Sequence, residues 1–285
     1  METDIKSIMI PTDFSELSES ALQAGISVAK RLGARVILLH VLDRYVYLQP
    51  TEVFLPDIRT IPDLNSMIEE RIKKISEKIS SENDLDVTGR VTDGQPYEEI
   101  CRIAYEEKVG LIIMGTHGES GLRQFFIGSE AYRVIKHAPC PVLTVPGGWV
   151  RMDFKKVLFP IRLVPGSLDK YFYARPIIEK NNSEIYILGL AESGEHVNSG
   201  DLPMLVERLK EQLNSDKVKS RTAYFEGDDI AAEIYKKTEE LGIDLLILTA
   251  NIDHDWRSFF IGPFVQKVIN HSRIPVLSIK PSDAG

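Results

Sequence analysis

The run from Gly115 through Thr116, His117 and Gly118 to Phe125, Phe126, Ile127, Gly128 and Ser129 carries the residue types of an anion cradle. Its form is G-x-x-G, nine residues, then G-S. Glycines let backbone N–H groups approach a phosphate with no Cβ in the way. Ser129 stands where a helix begins, and the free N–H groups and dipole of a helix N-terminus favour anions. A lone G-x-x-G says little, whereas strand, loop, glycine-serine and helix in that order point to phosphate binding. A second candidate segment is Pro11-Thr12-Asp13, at the end of a short apolar run. Asp13 could accept ribose hydroxyls, while Thr12 and the backbone near Val41 could frame a base. Asp13 could equally cap the helix that follows. The ribose role is preferred because the helix signal begins later, at Ser15.

Elements of an alternating α/β domain must hold these residues. Ile5 to Ile10 reads as a buried strand stopped by Pro11. Ser15 or Ser18 caps a helix whose Leu22, Ile26, Ala29 and Leu32 share a face, and Gly33 ends it. Val36 to Val41 is a second strand. Asp43 to Pro62 is a long loop or lid with Tyr45, Tyr47, Phe54 and Leu55, suited to function or to packing against a neighbour. Then follow a helix over Asp63 to Ser81, a strand over Val87 to Val91, a helix over Pro96 to Lys108, a strand over Leu111 to Met114, a helix over Ser129 to His137 and a strand over Val142 to Val145. Strands alternating with helices imply a parallel, doubly wound sheet. Ligands bind such sheets beyond the strand carboxyl ends where the order reverses. With the order 3-2-1-4-5 that point brings Pro11, Thr12 and Asp13 beside Met114 and Gly115.

The chain then repeats itself. Val157-Leu158-Phe159-Pro160 echoes Ile8-Met9-Ile10-Pro11, and Phe259-Phe260-Ile261-Gly262 echoes Phe125-Phe126-Ile127-Gly128. Each echo ends in a helix, a histidine (His137 or His271) and Pro-Val-Leu. Two copies of one domain are therefore expected, 1–148 and 149–285, joined at Gly147-Gly148 and the charged stretch Arg151 to Lys156. The apolar last strands, Val142 to Val145 and Val276 to Ile279, would each leave an exposed edge, so they are expected to pair as an internal pseudo-dimer, with a homodimer allowed but not required. In the second copy Thr249 stands opposite Gly115, Ile252 opposite Gly118, Pro263 opposite Ser129 and Arg162 opposite Asp13. That copy is expected to have lost the phosphate site, with recognition of a different anion left open.

Composition removes other classes. The 285 residues carry a net charge of −8, which opposes nucleic-acid binding, since that requires a basic face. The N-terminus has no basic region followed by an apolar run, and no segment approaches the ~18 uninterrupted apolar residues of a membrane span. A cytoplasmic protein with no membrane span is expected. Cys101 and Cys140 have no metal-ligand spacing and read as reduced and structural. His137 and His271, at helix C-terminal ends, are expected to offset the dipole. Arg123 reads as a solvated loop residue. His117 is either a loop histidine or a phosphate or ribose contact.

The segment Pro11-Thr12-Asp13-Phe14-Ser15, the G-x-x-G, nine-residue, G-S motif and His137-Ala138-Pro139-Cys140-Pro141 together resemble the universal stress protein family. The likeness covers the first half from end to end and the second more weakly. It implies ATP, ADP or AMP held with the base near Pro11, Thr12, Asp13 and Val41. The phosphates would lie near Gly115, His117, Gly118, Gly128, Ser129 and the amides of Glu130 and Ala131, with Met114 also among the nucleotide-binding residues. It further implies a regulatory role in stress response. Any Mg²⁺ would be held by phosphate oxygens and water. Glu130 departs from the small apolar residue common in the family. It either complements the helix dipole, swinging into solvent, or repels a triphosphate tail. Two alternatives remain: a nucleotide-independent module binding lipid or protein through Tyr45 to Leu55, and an enzyme, at most a slow ATP hydrolase. The H-x-G-H and S-G-G-x-D-S signatures of related transferases are absent, and no strong general base is visible.

Overall fold

In the computed structural model the described residues are 4–43, 62–116, 128–151, 153–164, 166–194, 200–250 and 263–280. The chain begins with β1 (Ser7–Pro11), α1 (Glu16–Leu32), β2 (Arg35–Leu42), α2 (Pro62–Asn83) and β3 (Val87–Asp93). It goes on through α3 (Pro96–Glu106), β4 (Leu111–Gly115), α4 (Ser129–His137) and β5 (Val142–Val145). The second copy follows as β6 (Lys156–Ile161), α5 (Asp169–Asn181), β7 (Glu184–Ala191), α6 (Asp201–Ser215), β8 (Ser220–Glu226), α7 (Ile230–Leu241), β9 (Leu245–Thr249), α8 (Pro263–His271) and β10 (Val276–Ile279).

The ten strands form one sheet in the order β3-β2-β1-β4-β5-β10-β9-β6-β7-β8. Each half runs 3-2-1-4-5 and is parallel throughout, so the expected α/β architecture stands. The halves meet where β5 and β10 pair antiparallel: Leu143 faces Leu277, Thr144 faces Val276 and Val142 faces Ser278. This register has a local twofold through Leu143 and Leu277. Each last strand thus covers the edge of the other.

Alternation along the strands feeds two cores, one on each face of the sheet. Ile8 and Ile10 point to the face covered by α1, α2, α5 and α6, while Met9 points to the face covered by α3, α4, α7 and α8. α1 lies close to the sheet because its inner face is small, with Ala21, Ala24, Gly25 and Ala29 all buried. A Cβ at Gly25 would stand 2.3 Å from Ile10 Cδ1. The helix is capped as its sequence implies: Ser15 Oγ accepts from Ser18 N at 3.2 Å, and Gly33 ends it in the left-handed region at φ 65°. The Ser15 cap fixes where β1 hands over to α1, and so where Thr12 and Asp13 stand, while Gly33 sets where α1 hands over to β2.

Burial pushes the Cys101 thiol up to about 11 and the Cys140 thiol up to about 12, so neither offers a thiolate near neutral pH. Burial, then Lys136 and Lys280, hold the His137 imidazole below the ordinary range at the end of α4. No described helix is long and apolar enough to cross a membrane.

Candidate functional site

A cleft of about 240 Å³ opens beyond the carboxyl ends of β1 and β4, the point where the strand order reverses. Pro11, Thr12 and Asp13 form one wall as they leave β1, with Leu39 and Val41 of β2 behind them. Met114, Gly115 and Thr116 come from the end of β4, and Gly128, Ser129, Glu130 and Ala131 from the start of α4. His117 and Gly118 lie outside the described residues, as does the Tyr45 to Leu55 segment. Every other candidate residue lines this cleft. Ser18, Leu39, Pro96, Ile100 and Thr116, which are not among the candidates, complete it. The α3 residues had a signal, since Pro96 at a helix start must lie near the carboxyl end of a neighbouring strand in a doubly wound sheet.

The Thr12 to Ser18 turn is tightly bonded. Thr12 N donates to Leu39 O at 2.8 Å, which ties the end of β1 to β2. Ser18 Oγ donates to Ser15 O at 2.9 Å, so Thr12 Oγ1, 3.1 Å from Ser18 Oγ, is the donor of that pair. Asp13 Oδ1 accepts from Ser15 N at 3.0 Å and Ser15 Oγ at 2.6 Å. The carboxylate therefore supports the turn, and Ser15 caps the helix. Among the described residues nothing bonds Asp13 Oδ2, and the side chain is exposed at the rim of the cleft.

Phe14 takes a left-handed conformation at φ 64°, costly for a bulky residue. Its ring is stacked on His40 at 4.6 Å, and the Arg71 guanidinium of α2 sits 3.9 Å from its centroid on the same aromatic system. His40 Nδ1 is 2.8 Å from Thr12 O; a carbonyl only accepts, so Nδ1 carries the proton. Burial holds this imidazole below its ordinary range despite the bond to Thr12 and the nearby Asp13, leaving it neutral. No pattern in the sequence announces this stack.

On the opposite wall, Gly128 N donates to Thr116 O at 2.6 Å and Thr116 N to Val145 O at 3.2 Å. The two ends of the 117–127 segment are thereby joined at the mouth of the cleft. Gly128 precedes α4 without any side-chain cap. Among the described residues no side chain caps the first-turn N–H groups of Ser129, Glu130 and Ala131, as an anion site requires. Glu130 does not swing into solvent: Oε2 accepts from Tyr97 N at 2.9 Å and Oε1 pairs with Arg133 at 3.2 Å.

The second copy is built differently at the same place. Arg162, in the position of Asp13, pairs with Glu192 at 2.8 Å and lies 4.7 Å over the ring of Phe264, which stands where Glu130 stands in the first copy. Thr249 occupies the position of Gly115, and its buried Oγ1 has no partner among the described residues. Ile252 lies outside the described residues.

The family model of the universal stress proteins matches residues 4–146 and again residues 154–280. The chain belongs to this family. It is 37% identical over 141 residues to the universal stress protein MJ0531 of Methanocaldococcus jannaschii, a match covering 49% of this chain and 81% of that protein. It is also 37% identical over 160 residues to the universal stress protein MJ0577 of the same organism, covering 51% of this chain and 97% of the other. Each relative thus corresponds to about half of the tandem chain. A solved universal stress protein from Archaeoglobus fulgidus shares the fold from end to end, with a TM-score of 0.78 over 98% of this chain and 99% of that one at 20% identity. In this universal stress protein, then, the two family matches coincide with the two halves of the sheet.

Proposed function

We propose that the first-copy cleft binds an adenine nucleotide, and that the protein acts in stress response as a nucleotide-dependent regulator. One observation carries this reading: Asp13 and the uncapped N-terminus of α4 face one cleft at the switch point of the sheet. The base lies against Pro11, Thr12 and Val41, Asp13 Oδ2 accepts from the ribose, and the phosphates meet Gly115, His117, Gly118 and the amides of Ser129, Glu130 and Ala131. Any Mg²⁺ is held by phosphate oxygens and water. The second copy binds no nucleotide at comparable affinity, because the Arg162–Phe264 pair fills the corresponding position.

Equilibrium titration with AMP, ADP and ATP tests this. One nucleotide per chain is expected. Asp13→Ala and Gly118→Val should each weaken binding at least about tenfold, the loss of one charge-assisted contact or of phosphate access. Unchanged affinity in folded variants refutes the assignment, and two equivalent sites per chain refute the asymmetry.

A further inference from the structure

The cleft lies between two helix N-termini, and a carboxylate of the protein already holds them together. α3 starts at Pro96 after Gln95, which provides no side-chain cap, so the N–H of Tyr97 needs an acceptor. That acceptor is Glu130 Oε2, reaching across from the first turn of α4. Arg133 holds the other carboxylate oxygen and lies 5.2 Å over the Tyr97 ring, so the Glu130 side chain is fixed from two sides. The second copy meets the same need with a residue of the helix itself: Asp229 accepts from Ala232 N at 3.0 Å and caps α7. Phe264 then takes the place of Glu130. In the first copy the carboxylate that accepts from the start of α3, Glu130, also lines the cleft.

We propose that Glu130 is a specificity-determining residue that limits the phosphate charge the cleft accepts, directing it to nucleoside monophosphates over the triphosphate. This rests on the adenine-nucleotide reading above. Each helix N-terminus is equivalent to roughly half a positive charge, so the two together are balanced by one carboxylate. A first phosphate still finds the N–H donors of α4. Every further phosphate charge meets a carboxylate that cannot turn away without uncapping α3. Arg133 offsets this only in part, because it is half exposed and its charge is screened.

The test is isothermal titration of the full chain with AMP and ATP, in the wild type and in Glu130→Gln. Glutamine keeps a carbonyl oxygen for the Tyr97 N–H and removes the charge, so α3 stays capped. The ratio of ATP affinity to AMP affinity should rise by about threefold or more in the variant, the effect of one screened charge on a polyphosphate. A smaller change, or equal changes for both ligands, overturns the proposal. If the folded wild type binds neither nucleotide, the adenine-nucleotide reading falls, and this one with it. Binding in the wild type with an unmoved ratio removes the Glu130 assignment alone.

Discussion

Lys170→Met should stabilise the protein, and by an amount that depends on pH. Lys170 lies four residues before Ala174 and seven before Ile177, both buried, so helical periodicity turns its side chain inward. It is 2% exposed, its Nζ donates to the carbonyl of Pro160, and it sits 4.5 Å over the ring of Phe159. Burial pulls the amine from 10.5 down to about 7. Because the folded state holds the proton less tightly than the unfolded one, this residue costs stability in full below about pH 7, and the cost fades as pH rises towards 10.5. At about pH 7.5 the gap is roughly three pH units, or about 4 kcal/mol, and at about pH 9.5 one unit, or about 1 kcal/mol. Methionine is unbranched and fills similar space without charge, at the loss of a hydrogen bond of about 1 kcal/mol. The variant should therefore gain about 3 kcal/mol near pH 7.5 and roughly nothing near pH 9.5. Urea unfolding of both proteins at the two pH values measures this through the shift in midpoint at constant slope. A stability difference that does not change with pH would refute the reasoning.

Three other outcomes follow from contacts in the fold. Gly25→Val should cost about 2–3 kcal/mol, seen as a lowered urea midpoint, because its Cβ would enter the space of Ile10, which is fully buried. Ser15→Ala should cost about 1 kcal/mol through the lost cap of α1, and should also weaken nucleotide binding in titration, since Ser15 anchors Asp13 Oδ1. Leu277→Asp places a carboxylate at the centre of the β5–β10 seam, and calorimetry should show separate unfolding transitions for the two halves where the wild type is expected to show one.

Most elements were readable because each carries a local signal: Ser15 and Gly33 bracket α1, and Ser129 to His137 has its observed bounds. The cleft was readable for a different reason. Its walls come from strand ends, and the alternation of strands and helices restricts which ends can meet. What escaped depends on tertiary placement. Glu130 could not be assigned to Tyr97 N without knowing that α4 passes beside α3, although Gln95-Pro96, a helix start lacking a capping side chain, signalled an unmet N–H. Lys170 was not singled out, although its spacing to Ala174 and Ile177 places it on the inner face of α5. The left-handed Phe14 had no such signal, since its conformation is imposed by the bonds of Thr12, Ser15 and Ser18 around it.

The asymmetry between the copies follows from where the sheet puts two different tasks. The proposed nucleotide cleft lies at the carboxyl ends of β1 and β4, whereas the joining of the halves belongs to the length of β5 and β10. Changes at the ends of β6 and β9, such as Arg162 for Asp13 or Thr249 for Gly115, leave the register of β10 untouched. A copy can thus lose its cradle and still cover the edge of its neighbour, which an isolated domain would have to cover with a second chain. The two sides of the seam already differ: Thr144 Oγ1 donates to Val276 O at 3.3 Å, while Ser278, its counterpart across the local twofold, leaves its buried hydroxyl without a partner among the described residues. Once both edges lie in one chain, the two sides of the contact are free to diverge, because no symmetry requires a change in one to appear in the other.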